Sequence, residues 1–205
     1  MRNLASAALL ACATLALPAA AQTTPPPDLS PGIKAATAAG PHPPACPRAG
    51  SHVERVGRPT VEYLGTRPGA ASICRVRVAG TEFEAHDGIW ALAWPGADAA
   101  RDALNRVING PTGTAVAFDT RAAPGLQWHE VIRNDGIETL HVAGQTRPAL
   151  KLSHYREGFE GNTYRSVVTV WKDMETGMTI YVNYRHIAGA PEVGIAWDPS
   201  AIVAP

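Results

Sequence analysis

Hydrophobic and polar residues alternate over many short stretches of the chain, with the period of two that is typical of half-buried β-strands. Cys74, Val76 and Val78, for example, alternate with Arg75 and Arg77. This pattern predicts strands at residues 61–64, 73–78, 81–83, 114–119, 126–133, 137–143, 149–159, 163–171 and 178–187. Because short turns join the later strands, we expect a mainly β (α+β) fold, a curved antiparallel meander or partial barrel.

One amphipathic helix is predicted at about residues 97–109. Its apolar residues form one stripe at helical spacing: Ala100, Ala103, Leu104, Val107 and Ile108. Gly110-Pro111 provides a stop signal, and Asp102 and Arg106 have the spacing of an i,i+4 ion pair. We expect this helix to pack on the open or concave side of the sheet.

Asn134-Asp135-Gly136-Ile137 predicts a hairpin, because Asp-Gly is a strong signal for a two-residue turn. This turn sets Val131 opposite Leu140. It places Glu130 on the same face as His141.

A second hairpin is predicted to turn through residues 173–177, since this loop matches apolar residues across the two strands. The resulting pairs are Val170 with Ile180, Val168 with Val182, Ser166 with Tyr184 and Tyr164 with His186. The opposite face of this hairpin is predicted to be solvated.

Three segments have less regular patterns. Trp90 and Trp94 fit either a strand or a helical turn, and in both cases we expect the two rings in the core. The apolar positions of residues 149–159 change parity near Gly158, so no register can be assigned to that strand. Residues 190–205 are predicted to be irregular but packed.

The N-terminus has the organisation of a signal peptide. Arg2 precedes an apolar run over residues 4–17, which ends at a proline, and small residues then lead to a cleavage point between Ala21 and Gln22. The run is shorter than the roughly 20 residues needed to cross a bilayer. An alternative remains open, because Leu9-Leu10-Ala11-Cys12 resembles a lipobox, in which Cys12 would carry a lipid anchor.

The mature chain is predicted to contain a linker and one domain. Residues 22–47 hold eight prolines and are predicted to be a disordered Pro/Ala-rich linker, whereas residues 48–205 form a single β-rich domain. Loss of Cys12 with the signal peptide leaves Cys46 and Cys74, which we expect to pair as a disulfide in an oxidising compartment.

Charge excludes one class of partner. The chain has 18 lysines and arginines against 18 aspartates and glutamates, so no excess of positive charge favours nucleic acid or an anionic membrane surface. Outside the signal peptide no transmembrane segment is predicted. Hydrophobic residues make up 45% of the chain, enough for a packed core.

Catalytic and metal-binding patterns are weak in this sequence. Four of the seven histidines, namely His129, His141, His154 and His186, lie on predicted strands, but the first hairpin sends His129 and His141 to opposite faces. There is no Gly-x-Ser-x-Gly elbow and no phosphate-binding glycine loop. Accordingly, no catalytic residue can be assigned, and neither a metal nor a cofactor is predicted.

A polar block on the second hairpin is the candidate ligand-binding site. Tyr164, Ser166, Tyr184 and His186 are predicted to share the buried face of that hairpin. Because buried polar groups need partners, these side chains either hydrogen-bond one another or line a pocket.

Two functional hypotheses follow. The first is a non-enzymatic binding or interaction module, periplasmic or secreted, whose partner is a small ligand, a lipid or an envelope protein. The alternative is a periplasmic hydrolase or metal-dependent enzyme whose site is assembled from distant strands, with His141, His154 and His186 as candidates. The missing catalytic motifs favour the first hypothesis.

The cleavage site makes a direct prediction. We expect mass spectrometry of the protein isolated from its native host to find Gln22 as the mature N-terminal residue. A mature chain that instead begins at a lipid-modified Cys12 would contradict this prediction and would make the linker a membrane tether.

Overall fold

The computed structural model describes residues 41–123 and 126–205. The predicted signal peptide, its cleavage site, Cys12 and the linker up to residue 40 lie outside the described residues. The end of the predicted linker is described, and within it Pro43 and Pro47 are buried. Among the described residues, no helix combines the length and apolar character needed to cross a membrane.

The described chain forms two antiparallel β-sheets and one α-helix. The elements are β1 (His52–Arg55), β2 (Arg58–Arg67), β3 (Ala70–Val78), β4 (Thr81–His86), β5 (Trp90–Ala91), α1 (Ala97–Ile108), β6 (Ala115–Ala123), β7 (Leu126–Val142), β8 (Gln145–Gly158), β9 (Arg165–Asp173), β10 (Thr179–Ala188) and β11 (Pro199–Val203). The six-stranded sheet has the order β11-β1-β2-β3-β4-β5, and the five-stranded sheet has the order β10-β9-β8-β7-β6.

The predicted mainly β fold with one helix is confirmed. Strands that are neighbours in sequence pair with each other, as in a meander, but they belong to two separate sheets. In the described part of the chain neither sheet closes into a barrel. The tail is more regular than predicted. Within it β11 pairs with β1, which places Ile202 opposite Val53.

The helix buries the predicted stripe. Its five apolar residues join Trp90 in a core cluster with strands of the five-stranded sheet. The predicted pair between Asp102 and Arg106 is wrong, because Arg101 instead contacts both Asp98 at 3.1 Å and Asp102 at 3.0 Å. Arg106 lies in the last turn, where a positive charge complements the helix dipole. The expectation for Trp94 is also wrong, since it is 55% exposed.

The predicted first hairpin does not form, because β7 runs straight through Asp135-Gly136 with a bulge. Only Gly136 of this pair has a positive φ, 97°, whereas a two-residue type I′ turn needs both. The turn lies instead at Ala143-Gly144, with φ values of 49° and 71°. Val131 therefore faces Tyr155 across the β7–β8 ladder and not Leu140.

The bulge in β7 is attached to the end of the helix. The side-chain amide of Asn134 donates to the carbonyl oxygens of Val107 at 3.1 Å and Gly110 at 3.0 Å. Its Oδ1 accepts from the backbone N–H of Gly136 at 2.8 Å. A side chain thus supplies partners for helix-terminal carbonyls that have none within the helix.

The second hairpin forms, but the predicted register is wrong by two residues. Val170 faces Val182, and Ser166 faces His186. The cause is an irregularity between Thr179 and Tyr181, which interrupts the regular pairing next to the turn. A shift of two residues keeps the same side chains on the same face, so the predicted faces of β9 and β10 remain correct.

The strand without a predicted register, β8, lies between two neighbours. It pairs with β7 over most of its length and with β9 from Ala149 to Glu157. Leu152 lies opposite both Asn134 and Val170.

The predicted disulfide between Cys46 and Cys74 is confirmed, with the two Cα atoms 5.2 Å apart. It attaches the segment before β1 to the centre of β3. Closing a loop of 28 residues stabilises the fold by about 3–4 kcal/mol through the lower entropy of the unfolded chain.

A buried lysine reinforces the same attachment. Lys172 is 0% exposed, and its Nζ donates to the carbonyl oxygens of Ala45 at 2.8 Å and Asp87 at 2.6 Å. Burial lowers the pKa of Lys172 to about 8, although the charge of Asp87 opposes this effect. The same burial raises the pKa of Asp87, against the charge of Lys172.

This burial predicts a pH-dependent stability. The penalty for burying the ammonium of Lys172 is fully present below about pH 8 and disappears as the pH approaches the higher pKa of the unfolded chain. We therefore expect the free energy of unfolding of the wild type, relative to Lys172→Met, to rise by about 2 kcal/mol between roughly pH 7.5 and 10. Denaturant titrations at several pH values measure this difference.

Lys151→Met is the matched control, because Lys151 is a half-buried lysine of the neighbouring strand that pairs with Glu138. The wild type measured relative to Lys151→Met should not show the rise of about 2 kcal/mol over the same pH range. If the unfolding free energies of the wild type and Lys172→Met change with pH in parallel, the prediction of a buried, charged Lys172 is wrong.

Candidate functional site

A cavity of about 640 Å³ lies between the inner faces of the two sheets. The alternation of side chains along each strand sends every second residue toward it. The six-stranded sheet contributes Val61, Val76 and Val78, and the five-stranded sheet contributes Ile132, Leu152 and Val168. The cavity wall is therefore mainly apolar on both sides.

The cavity borders both packed clusters of the core. Trp90 and Leu104 belong to the cluster around the helix, while Tyr63 and Val76 belong to the cluster around the disulfide. All four side chains also line the cavity. The cavity is thus bordered by the packing of the helix on the five-stranded sheet and by the packing of the two sheets around the disulfide.

A buried carboxylate stands in this apolar wall. Glu130, which is 1% exposed, accepts hydrogen bonds from Thr120 Oγ1 at 2.8 Å, from Arg156 Nε at 3.2 Å and from His154 Nε2. Antiparallel pairing places Arg156 directly opposite Glu130, with His154 two residues before Arg156 on the same face of β8. The register of β6, β7 and β8 thus assembles the cluster.

The cluster stabilises the ionised form of Glu130. Burial alone would raise the pKa of Glu130. The net shift is nevertheless downward, because Glu130 gains the hydrogen bond and charge of His154, the charge of Arg156 and the hydrogen bond of Thr120. Arg156 Nη1 also contacts Glu192 at 3.2 Å. Two carboxylates therefore neutralise this one guanidinium.

Two residues of the cavity wall carry buried polar atoms without partners in the described structure. In the part of the chain that the structure describes, neither Trp90 Nε1 nor Thr179 Oγ1 has a hydrogen-bond partner, although both atoms are buried and both residues line the cavity. Buried donors without a partner are rare in folded proteins.

His154 has a defined chemical state in this arrangement. Its Nε2 must carry a proton to donate to the Glu130 carboxylate, so in the neutral ring Nδ1 is a hydrogen-bond acceptor. The ring centroid lies 5.0 Å from that of Trp90. The Nδ1 atom of His154 can therefore accept a hydrogen bond from a ligand. Over the described ranges, however, no hydroxyl or thiol side chain hydrogen-bonds to His154.

The predicted polar block lies next to the cavity, but the prediction that all four residues are buried is wrong for His186, because β10 is exposed toward its end. Tyr164 and Ser166 are buried, Tyr184 is half-buried and His186 is exposed. The hydroxyls of Tyr164 and Tyr184 are 3.4 Å apart, and the Tyr184 hydroxyl accepts from the backbone N–H of Glu192 at 3.1 Å. Of the four residues, Ser166 lines the cavity.

The candidate histidines lie in separate surroundings. His141 is exposed beside Thr146, His154 faces the cavity and His186 lies near Tyr164. Within residues 41–123 and 126–205, no group of three or more His, Cys, Asp and Glu residues is arranged to hold a metal ion.

The prediction that Glu130 lies beside His141 is wrong. Glu130 contacts His154 and not His141, because β7 continues straight where a turn was predicted. A signal for this site was nevertheless present, since Trp128, Glu130 and Ile132 share one face of a strand and place a charge among apolar neighbours.

Comparisons with known proteins add little to this description. No protein-family model matches the chain, and no curated protein matches it. A solved structure that is similar in part is the crystal structure of the hypothetical lipoprotein YmcC from Escherichia coli. The two chains are 15% identical with a TM-score of 0.41, over 67% of this chain and 79% of that one.

The buried carboxylate makes a stability prediction. Glu130→Gln weakens the charged contacts with Arg156 and His154 inside the protein, so we expect a loss of about 2 kcal/mol of unfolding free energy at neutral pH. The loss should narrow as the pH falls through the lowered pKa of Glu130, because the wild type then also loses the charge. Urea denaturation measures both effects.

Glu192→Gln is the matched control, because Glu192 binds the same Arg156 from an exposed position. We expect a change of less than about 0.5 kcal/mol for this variant. Equal effects of the two substitutions would show that the inner carboxylate has no special role.

Proposed function

We propose that this protein is an exported, non-enzymatic binding protein that holds one small, lipid-like ligand in the cavity between its sheets. The observation that carries the proposal is the cavity itself, whose volume is about 640 Å³. Ligand pockets commonly measure about 300–1,000 Å³ and combine apolar walls with a few polar groups. This cavity has both properties.

The character of the walls supports an apolar chain as the occupant. Valine, isoleucine and leucine side chains from both sheets would bury a hydrocarbon chain on two sides. The Glu130 cluster, whose residues line the cavity, would orient a polar part of the same ligand. Hydrophobic burial thus supplies affinity, and polar groups supply orientation.

The proposed location is the periplasm or the extracellular space. Support comes from the signal peptide predicted in the sequence and from the disulfide between Cys46 and Cys74, which persists in oxidising compartments. A role in the cell envelope is consistent with both features.

The polar block of Tyr164, Ser166, Tyr184 and His186 remains a proposed set of ligand contacts. Ser166 has the most direct support, because it lines the cavity and lies opposite Arg156 on the neighbouring strand. The two tyrosines and His186 would act at the edge of the site.

Filling the cavity should abolish binding. We expect the wild type to bind the neutral fluorescent probe N-phenyl-1-naphthylamine with saturation, and Val168→Trp to weaken this binding by about tenfold or more. The indole would occupy space that the probe needs. Fluorescence titration gives both dissociation constants.

Thr169→Trp is the control, since Thr169 is the next residue of β9 and faces the other side of the sheet. It should bind the probe as the wild type does, and circular dichroism should show both variants folded. The proposal fails if the wild type shows no saturable binding, or if Val168→Trp binds as well as Thr169→Trp. Native mass spectrometry of protein isolated from its own host would then identify any retained ligand.

A further inference from the structure

Two arginines lie together where the first strands turn. Arg55 ends β1 and Arg58 begins β2, and the two residues face each other across the turn. Arg55 lines the cavity, and Arg58 donates to the carbonyl oxygen of Gly194, another residue of the cavity wall. One edge of the cavity therefore carries two positive charges.

These charges have no carboxylate partner in the described structure. Within residues 41–123 and 126–205, the arginines that form no salt bridge are Arg48, Arg55, Arg58, Arg106 and Arg185. Of these, Arg48, Arg106 and Arg185 are exposed to solvent, whereas Arg55 and Arg58 are half-buried. An unpaired surface arginine is solvated at little cost, but a half-buried one loses part of its hydration.

The contacts of Arg55 hold its guanidinium in place without neutralising it. Its Nε donates to the carbonyl oxygen of Pro59 at 2.7 Å, and its Cζ lies 5.5 Å from the ring centroid of Trp197. Burial, followed by the charge of Arg58, lowers the pKa of Arg55. A guanidinium nevertheless stays protonated at neutral pH, so the repulsion persists until an anion binds.

The third arginine at the cavity does not compete for such an anion. Arg156 already contacts the carboxylates of Glu130 and Glu192. An anionic group near Arg156 would meet two negative charges, whereas one near Arg55 would meet two positive charges. The charge pattern therefore assigns the anion to the β1–β2 edge.

This edge also reaches solvent. Gly194, which accepts from Arg58, is an exposed residue of the segment between β10 and β11 and lines the cavity. A charged head placed here would remain partly hydrated while an attached chain extended between the apolar walls. Charge and apolar surface are thus arranged as an amphiphile requires.

We propose that the ligand is a single-chain amphiphile with an anionic head, a carboxylate or a phosphate, which binds to Arg55 and Arg58. This inference rests on the proposed function and specifies the ligand class of the same cavity. The planar guanidinium of Arg55 suits either head, because it can donate two parallel hydrogen bonds to paired oxygens.

Calorimetric titration with three ligands of equal chain length tests the inference: dodecanoate, dodecyl phosphate and dodecanol. We expect at least one of the two anions to bind the wild type about tenfold or more tightly than dodecanol does. Arg55→Gln should remove that preference and leave the dodecanol affinity within about twofold. Arg55→Lys keeps the charge and should restore part of the preference.

Arg185→Gln is the matched control, because Arg185 is unpaired and exposed on β10 and does not line the cavity. It should retain the wild-type preference. If dodecanol binds the wild type as tightly as both anions, or if Arg55→Gln keeps the preference, the inference is overturned and the proposed function stands. If none of the three ligands binds, both are overturned.

Discussion

Each sheet turns an apolar face toward the other, and the buried side chains of the core pack in two clusters. One cluster forms around the helix and Trp90, and the other forms around Cys74, Tyr63 and Ile180. The cavity borders both clusters, because Trp90 and Leu104 of the first and Tyr63 and Val76 of the second also line it. The packing of these clusters therefore shapes the cavity.

An empty apolar cavity costs stability, since its lining atoms lose dispersion contacts that a filled core would have. Two charged residues that line this cavity, Glu130 and Arg55, differ in their partners. Glu130 is surrounded by donors, so its carboxylate is stable there, while Arg55 lacks a counter-charge in the described structure. Glu130 therefore has its charge partners within the protein, whereas Arg55 would gain a counter-charge only from a bound anion.

The sequence pattern predicted the elements whose formation depends mainly on residues close together in the chain. The apolar stripe of the helix and the alternation around Cys74 follow from the periods of helix and strand, and both elements form where the sequence places them. The pairing of Cys46 with Cys74 followed from simple counting once Cys12 was assigned to the signal peptide.

Features that depend on distant partners were not predictable in the same way. Asp135-Gly136 becomes a bulge because Asn134 hydrogen-bonds to the end of a helix more than 20 residues earlier in the chain. The actual turn uses Ala143 at a positive φ, a conformation that alanine rarely adopts and that its identity does not signal. The partners of Glu130 depended on this register, so the candidate site could not be assembled from the sequence.

The pairing of β11 with β1 joins the two ends of the described domain. All other strand pairs connect sequence neighbours, so most of both sheets can form while the chain is still incomplete. In a chain that emerges N-terminus first, β1 has an unpaired edge until the last residues arrive. That edge is short, irregular and charged at Glu54 and Arg55, features that discourage pairing with another molecule. The arginine that faces the cavity is thus also one of the charges on this temporary edge.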